Sequence, residues 1–280
     1  MGGFFGAVSA NDCISDVFFG TDYHSHLGTR RGGMTSYAKE LGFQRNIHSI
    51  ENSPFRTKFE KDVEKMRGNI CIGCISDTDP QPIMVRSKLG LYAVCSIGVI
   101  QNARELSEEL LENGCANFET MSSGSINSGG LIGALIAQKS SFVEGIRYAQ
   151  EKIEGTMSLA IMTEDSILCA RDKSGRLPIL IGERSDGYCF SFESFAYQKL
   201  GYETCHELKA GEILKLTKDG YEILAEGTDQ MKICTFLWTY YGYPTACYEG
   251  VNVELMRTRN GEIMAESDMN CLLYTSDAAD

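Results

Sequence analysis

The first residues to weigh for chemistry are a spaced cysteine pair and a spaced histidine pair. Cys71 and Cys74 have the spacing of a zinc-binding pair, but they lie in the apolar run NICIGCIS. An extended segment turns residues three apart to opposite faces, so we expect no metal site there. His24 and His26, in YHSHLG, have no neighbouring carboxylates. This favours surface or hydrogen-bonded turn residues over a metal site or a general base.

Arg30 and Arg31 could together bind an anion. They lie beside Gly28, Gly32 and Gly33 in HLGTRRGG. These glycines fit a close-packed or positive-φ backbone that could cradle an anion, and the arginines fit a solvated turn equally well. Both interpretations stay open at this point.

Two acidic positions are better explained by structure than by catalysis. Arg171 and Asp172 stand in ARDKSG among turn-forming residues, which predicts a structural pair at a β-turn. Glu193, followed by Ser194 in FESFA, is interpreted as a strand-end cap.

Composition narrows the functional class. The 280 residues are 43% apolar and carry 38 acidic against 26 basic side chains, a formal charge of −12. That balance argues against a nucleic-acid or anionic-membrane surface. No apolar run approaches the roughly 18 to 20 residues that span a bilayer, and Asp12, Asp16 and Asp22 interrupt any signal sequence. We expect a cytoplasmic protein without cofactor or metal, whose eleven scattered cysteines are reduced core thiols.

The elements that must position these residues follow from hydrophobic patterning. Strand-like runs are Gly3–Ser9, Ile70–Ile75, Leu91–Ile100, Ser158–Thr163, Ser166–Arg171, Ile179–Gly182, Tyr188–Phe192 and Glu212–Leu216. Helical periodicity marks Glu105–Asn113, Gly130–Gln138 and Phe142–Ile153. Strands, then helices, then strands predict an α+β fold with helices packed on antiparallel sheets.

The pattern predicts one domain over residues 2–235. Residues 236–266 contain an aromatic stretch with the single Trp and a helix-like run, Glu254–Glu266. We interpret this stretch as the start of a connection to a further domain. Residues 271–280 end in CLLYTSDAAD, which resembles a translated adapter, so we expect a truncated reading frame with a non-native tail.

Several runs, taken in order, carry a family resemblance. GGFFGAVS resembles an opening strand, HLGTRRGG an arginine-glycine turn, GNICIGCIS followed by QP a central strand, and SIGVIQNAREL an oxyanion strand-turn-helix. ARDKSGRLPILIG, FESFAY, ELKAGEI, FLWTYYGYP and EGVNVE follow. Together, over about residues 2–266, they resemble the class II glutamine amidotransferase domain of amidophosphoribosyltransferase. The resemblance implies a four-layer αββα sandwich of the N-terminal-nucleophile (Ntn) hydrolase fold.

The resemblance also implies a chemistry. Such a domain releases ammonia from glutamine and passes it to a phosphoribosyl transferase domain for purine synthesis. It uses an N-terminal cysteine thiolate with its own α-amine as base. The family's cysteine falls at Gly2, so removal of Met1 leaves an amine without sulfur.

The other family positions also depart from the pattern. The oxyanion asparagine aligns with Ile97, which leaves only Gly98 to offer a backbone N–H. The carboxylate-binding arginine aligns with Ser76, in a loop shortened before Gln81-Pro82, and the amine-binding aspartate aligns with Asn127. Arg30 alone remains where the family keeps an arginine.

These departures predict a domain that has lost glutamine hydrolysis and has a structural or regulatory role toward a missing transferase domain. One alternative is an active glutamine-dependent enzyme with a rearranged site, for example one that exposes Cys13 by processing. Processing there would delete the strand that begins at Gly2. Another alternative is a module that senses glutamine, a related amino acid or an anion, with homo-oligomerisation left open.

Overall fold

Fifteen strands and seven helices are present in a computed structural model that describes residues 2–114, 118 and 124–268. The strands are β1 (Gly2–Ser9), β2 (Arg31–Ala38), β3 (Gly42–Ser49), β4 (Ile70–Ser76), β5 (Ile83–Ser87), β6 (Gly90–Ile100), β7 (Gly155–Met162), β8 (Ile167–Ala170), β9 (Leu180–Arg184), β10 (Gly187–Ser191), β11 (Glu203–Glu207), β12 (Ile213–Thr217), β13 (Gly220–Ala225), β14 (Cys247–Tyr248) and β15 (Val251–Asn252). The helices are α1 (Ile14–Asp22), α2 (Phe55–Val63), α3 (Ala103–Glu112), α4 (Ser128–Ile136), α5 (Phe142–Lys152), α6 (Ser194–Gln198) and α7 (Val253–Asp268).

Two large antiparallel sheets hold most of the strands. The seven-stranded sheet has the order β11-β9-β10-β1-β4-β2-β3, and the six-stranded sheet has the order β13-β12-β8-β7-β6-β5. Strand β1 pairs with β4 on one side and β10 on the other, and all eight of its residues are buried. Because β1 lies between two strands and is buried on both faces, its residues must be apolar or small, as they are in GGFFGAVS.

The two sheets pack face to face between two layers of helices. Helices α1, α2 and α6 contact the seven-stranded sheet, and β1 and β4 contact β6 of the six-stranded sheet. Helices α3, α4 and α5 bury their apolar stripes with β6, β7 and β8 in one core cluster. This arrangement confirms the predicted α+β, four-layer αββα sandwich.

Alternation of side chains separates the two faces of the seven-stranded sheet. An ideal Cβ on Gly3 would approach His24, which follows α1, whereas one on Gly6 would meet Phe190 and Ile72. Odd-numbered positions of β1 therefore point to the helices, and even-numbered positions point to the second sheet. In β4, Cys71 faces the helices and Cys74 faces the second sheet, so the two thiols lie on opposite faces as the sequence predicted.

The chain divides into two compact units, residues 1–234 and 235–280 by contact density. In the described part of the second unit, the Trp238 indole N–H donates to the Val251 carbonyl at 3.0 Å. The Arg257 guanidinium donates to the carbonyls of Trp238 at 2.7 Å and Gly242 at 3.0 Å. Residues 271–280 lie outside the described part of the chain.

The described residues provide neither a membrane-spanning helix nor a cluster of metal ligands. No helix among them is both long and apolar enough to cross a lipid bilayer. They also contain no group of three or more His, Cys, Asp or Glu side chains that could hold a metal ion.

Gly6 offers a test of the sheet packing. A methyl group there would overlap the ring of Phe190, so we expect Gly6→Ala to lower the free energy of unfolding by about 1–3 kcal/mol through overpacking. Gly220→Ala is the matched control, because nothing lies within 4 Å of the position that its Cβ would occupy. Urea midpoints measure both. Equal midpoints for wild type and Gly6→Ala would contradict this packing.

Candidate functional site

The predicted site begins where β1, β4 and β2 lie side by side. Gly2 is opposite Ser76 in the β1–β4 pairing, and Arg31 is opposite Ser76 in the β2–β4 pairing. Residues directly opposite one another share a face, and this face points to the second sheet. The structure therefore brings the nucleophile position, Gly2, and the carboxylate-clamp position, Ser76, together.

Gly2 is packed too closely for a side chain. An ideal Cβ on Gly2 would lie 2.5 Å from the Ile75 carbonyl oxygen. A contact of that length against backbone can be relieved only if the strands move apart. The backbone here fits glycine, and a cysteine would not fit without rearrangement.

The arginines lie at the start of β2. Arg30 is exposed, and Arg31 is half-buried as the first residue of the strand. The flanking glycines have no positive φ; Gly33 lies in the strand with the Gln81 carbonyl against it. Arg30 is solvated in the bend before β2, as one interpretation expects, whereas Arg31 is already in the strand; the flanking glycines are close-packed but form no positive-φ cradle for an anion.

Asp77 competes for the charge of Arg30. Its carboxylate accepts the Thr29 N–H at 2.7 Å. Partial burial alone would raise the pKa of Asp77, but the pKa lies below its ordinary value because of this hydrogen bond and the nearby Arg30 guanidinium. A carboxylate beside Arg30 weakens that arginine as a site for a second anion.

The oxyanion position lies on the second sheet. Ile97 is 6% exposed in β6, and Gly98, with φ of 152°, lies opposite Met157 of β7. A narrow cleft of about 170 Å³ adjoins them; it is lined by Ser96, Ile97, Gly98, Ile100, Ser128, Ile132, Thr156 and Met157. An apolar side chain therefore lies at the predicted oxyanion position.

Asn127 caps a helix. Its side-chain oxygen accepts the N–H groups of Gly129 at 2.9 Å and Gly130 at 3.3 Å, at the N-terminus of α4. Its side-chain nitrogen donates to the Pro80 carbonyl at 3.1 Å. Both ends of the amide are engaged and the residue is 2% exposed, so Asn127 works as a structural N-cap.

His24 lies in the core near the start of β1, a burial that the sequence did not predict. His24 is fully buried, with Nδ1 2.7 Å from the Gly20 carbonyl and Nε2 3.2 Å from the Ser191 hydroxyl. Of the two alternatives for His24, the hydrogen-bonded turn residue is observed and the surface residue is not, because Gly3 leaves room for the ring: a Cβ there would lie 2.7 Å from the Cβ of His24. Burial lowers the pKa of His24 to about 4, against the opposing charge of Glu193.

Glu193 binds the second histidine. Its buried carboxylate lies 2.8 Å from Nε2 of His26. Glu193 occupies the N-cap position of α6, yet its side chain makes no capping hydrogen bond. The expectation of a cap is therefore corrected to an ion-pair partner of His26. The arrangement over positions 191–193 could be found only from the pairing of β1 with β10, which sequence spacing does not reveal.

The remaining candidates are structural. Arg171 is fully buried and donates to the Leu208 and Gly175 carbonyls at 2.5 and 2.7 Å. Asp172 accepts the backbone N–H groups of Ser174 and Arg176 at 2.9 and 3.0 Å. This turn confirms the structural interpretation of ARDKSG.

Cys13 is a buried core thiol. It precedes α1, its Sγ lies 3.6 Å from the Ala7 and Gly68 carbonyls, and burial raises its pKa well above the ordinary value. A thiol in this state is a poor nucleophile.

Comparison with known proteins gives this arrangement a family. Residues 66–198 match the family described as a glutamine amidotransferase domain. The amidophosphoribosyltransferase of Archaeoglobus fulgidus is 26% identical over 251 residues, which cover 86% of this chain and 53% of that protein.

Two solved structures share the fold. The glutamine phosphoribosylpyrophosphate amidotransferase of B. subtilis, complexed with ADP and GMP, superposes with a TM-score of 0.83 at 23% identity over 94% of this chain and 58% of its own. A structure titled the allosteric regulatory enzyme of purine biosynthesis gives a TM-score of 0.84 at 22% identity, over 95% of this chain and 58% of its own.

The sandwich has the Ntn-hydrolase fold of the glutamine amidotransferase structures, and residues 66–198 match the glutamine amidotransferase domain family. In sequence, the chain is similar to amidophosphoribosyltransferases over most of its own length. It spans about half the length of the curated relatives that it matches.

His24 predicts a pH dependence of stability. Its pKa is about 4 in the folded chain against an ordinary value of 6.5, so the unfolded chain binds the extra proton between these limits. Stability should fall as pH is lowered from 6.5 to 4, by about 1.4 kcal/mol per unit at most.

The slope of the unfolding free energy against pH separates the titration of His24 from any loss of packing that a substitution causes. We expect His24→Gln to remove that part of the slope, whereas His48→Gln, at a half-exposed position, should keep it. Urea unfolding at several pH values measures the slopes. The same slope in wild type and His24→Gln would contradict the assignment.

Proposed function

We propose that this amidotransferase domain does not hydrolyse glutamine and that it serves as a structural or regulatory domain toward a phosphoribosyltransferase-type domain. The observation that carries the proposal is Gly2 at the nucleophile position, with backbone packing that excludes a cysteine side chain. Without a thiolate no thioester with the glutamyl group can form by this route.

The residues at the other predicted site positions support the same conclusion. Hydrolysis needs donors aimed at the developing oxyanion, and loss of one typically costs about 10²–10³ in rate. Ile97 has no donor in its side chain. Ser76 lacks the bidentate guanidinium that would hold a carboxylate, and Asn127 is neutral and engaged in capping.

Six of the described thiols are poor candidates to replace the missing nucleophile. Burial raises the pKa of the thiols of Cys13, Cys71, Cys95, Cys169 and Cys189 well above the ordinary value. Cys205, half-buried, has its pKa raised to about 11. These thiols stay protonated at neutral pH, which argues against a rearranged active site that uses them.

The structural role follows from what is preserved. The sheets, the helix layers and the turn at Asp172 are complete in a chain whose catalytic positions have changed. The relatives are about twice as long and are named amidophosphoribosyltransferases, so we infer a transferase domain as the partner. The described cysteines are free thiols, which fits work in the reducing cytoplasm.

The decisive experiment measures glutamate release from glutamine. We expect the wild-type chain to stay at the level of a buffer blank, with an active glutaminase as the positive control. Glutamate above the blank that disappears after treatment with a thiol-reactive glutamine analogue would refute the proposal.

A restored thiol tests the packing argument separately. We expect Gly2→Cys to remain at the blank level, because its Cβ meets the Ile75 carbonyl and three other groups are absent. Intact mass after Met1 removal and circular dichroism establish that the variant is processed and folded. Turnover by folded Gly2→Cys at a rate near the positive control would show that position 2 alone decides activity.

A further inference from the structure

One short segment crosses the end of the sandwich beside the candidate site. Residues 77–82, here called the strap, connect β4 of the seven-stranded sheet to β5 of the six-stranded sheet. Asp79 and Gln81 are 7% and 4% exposed. Burial of polar residues in a connection this short indicates specific partners for them.

The first anchors tie the strap to the strands on both sheets. The Ser76 hydroxyl accepts the N–H groups of Thr78 and Asp79, each at 3.2 Å. The Gln81 amide bonds to the backbone of Ser96: its oxygen accepts the Ser96 N–H at 2.7 Å, and its nitrogen donates to the Ser96 carbonyl at 3.1 Å. The Gln81 side chain thus makes the two backbone hydrogen bonds that a neighbouring strand would make to Ser96 of β6.

The second anchors tie the strap to α4. The Pro80 carbonyl accepts from the Asn127 amide at 3.1 Å, and the Asp79 carboxylate accepts the Ser128 N–H at 3.3 Å. A carboxylate at the N-terminus of a helix is favoured by the helix dipole. The Gln81 carbonyl fills the space above Gly33, where a Cβ would overlap it.

These partners coincide with the substrate positions. Ser76 and Asn127 align with the family's carboxylate and amine anchors, and Ser96 precedes the oxyanion position, Ile97. Their polar groups are satisfied by the strap. We propose that the strap is a built-in occupant of the amino-acid site, which holds the site closed so that free glutamine does not bind.

The proposal rests on the proposed function but goes beyond it, since a site without a nucleophile could still bind glutamine. To enter, a ligand would have to break the strap's bonds to Ser76, Ser96 and Asn127. Ser76 and Ser96 carry no charged group to offer a ligand in exchange, and the Asn127 amide is already engaged at both ends. The state in which the strap keeps its hydrogen bonds then has a lower free energy than the state in which glutamine has replaced the strap.

Hydrogen exchange read by mass spectrometry tests the strap in the intact chain. We expect wild-type amides over residues 77–82 to exchange slowly, as buried strands do, and to be unchanged by millimolar glutamine. Asp79→Ala and Gln81→Ala should each speed exchange of the strap by about tenfold or more, equivalent to about 1.4 kcal/mol of local opening free energy. Thr78→Ser is the control and should behave as wild type, because position 78 is exposed and serine keeps the hydroxyl that lies 3.4 Å from the Ser76 hydroxyl.

The outcomes separate the two proposals. Fast strap exchange in the wild type, or glutamine that binds and slows strap exchange without being hydrolysed, would overturn the closed site and leave the proposed function standing. Glutamate release would overturn the proposed function itself. Should one substitution unfold the chain, the wild-type exchange pattern with and without glutamine still decides the matter.

Discussion

The close pairing of β1 with β4 is the constraint on which this structure depends. β1 is buried on both faces, and its glycines let neighbouring groups approach: Gly3 admits the ring of His24, and Gly6 admits Phe190. Gly73 on β4 does the same for Thr21 of α1. Each of these glycines therefore admits a neighbouring side chain that any larger residue would displace, and Gly2 allows the same close approach of the Ile75 carbonyl.

The sequence predicted those elements whose signal is local. Buried strands such as β1, β4 and β6 appear as apolar runs, and α5 appears as a stripe of period 3.6, so their bounds agree within a few residues. β3 was missed because GFQRNIHS is a half-buried edge strand whose polar residues hide the alternation. The short α1 was missed because a nine-residue helix rests on tertiary packing more than on propensity.

The site was predictable only in part, because many of its contacts join residues that are far apart in the sequence. The positions of Gly2, Ser76 and Ile97 follow from the resemblance, and β-sheet register brings Gly2 and Ser76 together. The partners of Asn127 and Gln81 could not be predicted, because they arise where a connection between sheets meets a helix terminus. The same holds for Glu193, whose contact with His26 joins residues that are far apart in the sequence.

The replacements at the site also make sense as stabilising changes. A buried polar group without its partner costs roughly 1–3 kcal/mol, and an unpaired buried charge costs more. An arginine at position 76 or an asparagine at position 97 would need a ligand or water to satisfy it in a closed site. The Ser76 hydroxyl finds its hydrogen-bond partners within the strap. The side chain of Ile97, which is 6% exposed, needs no partner. Under the proposed loss of glutamine hydrolysis, the free energy of the closed state therefore favours the residues observed at positions 76 and 97.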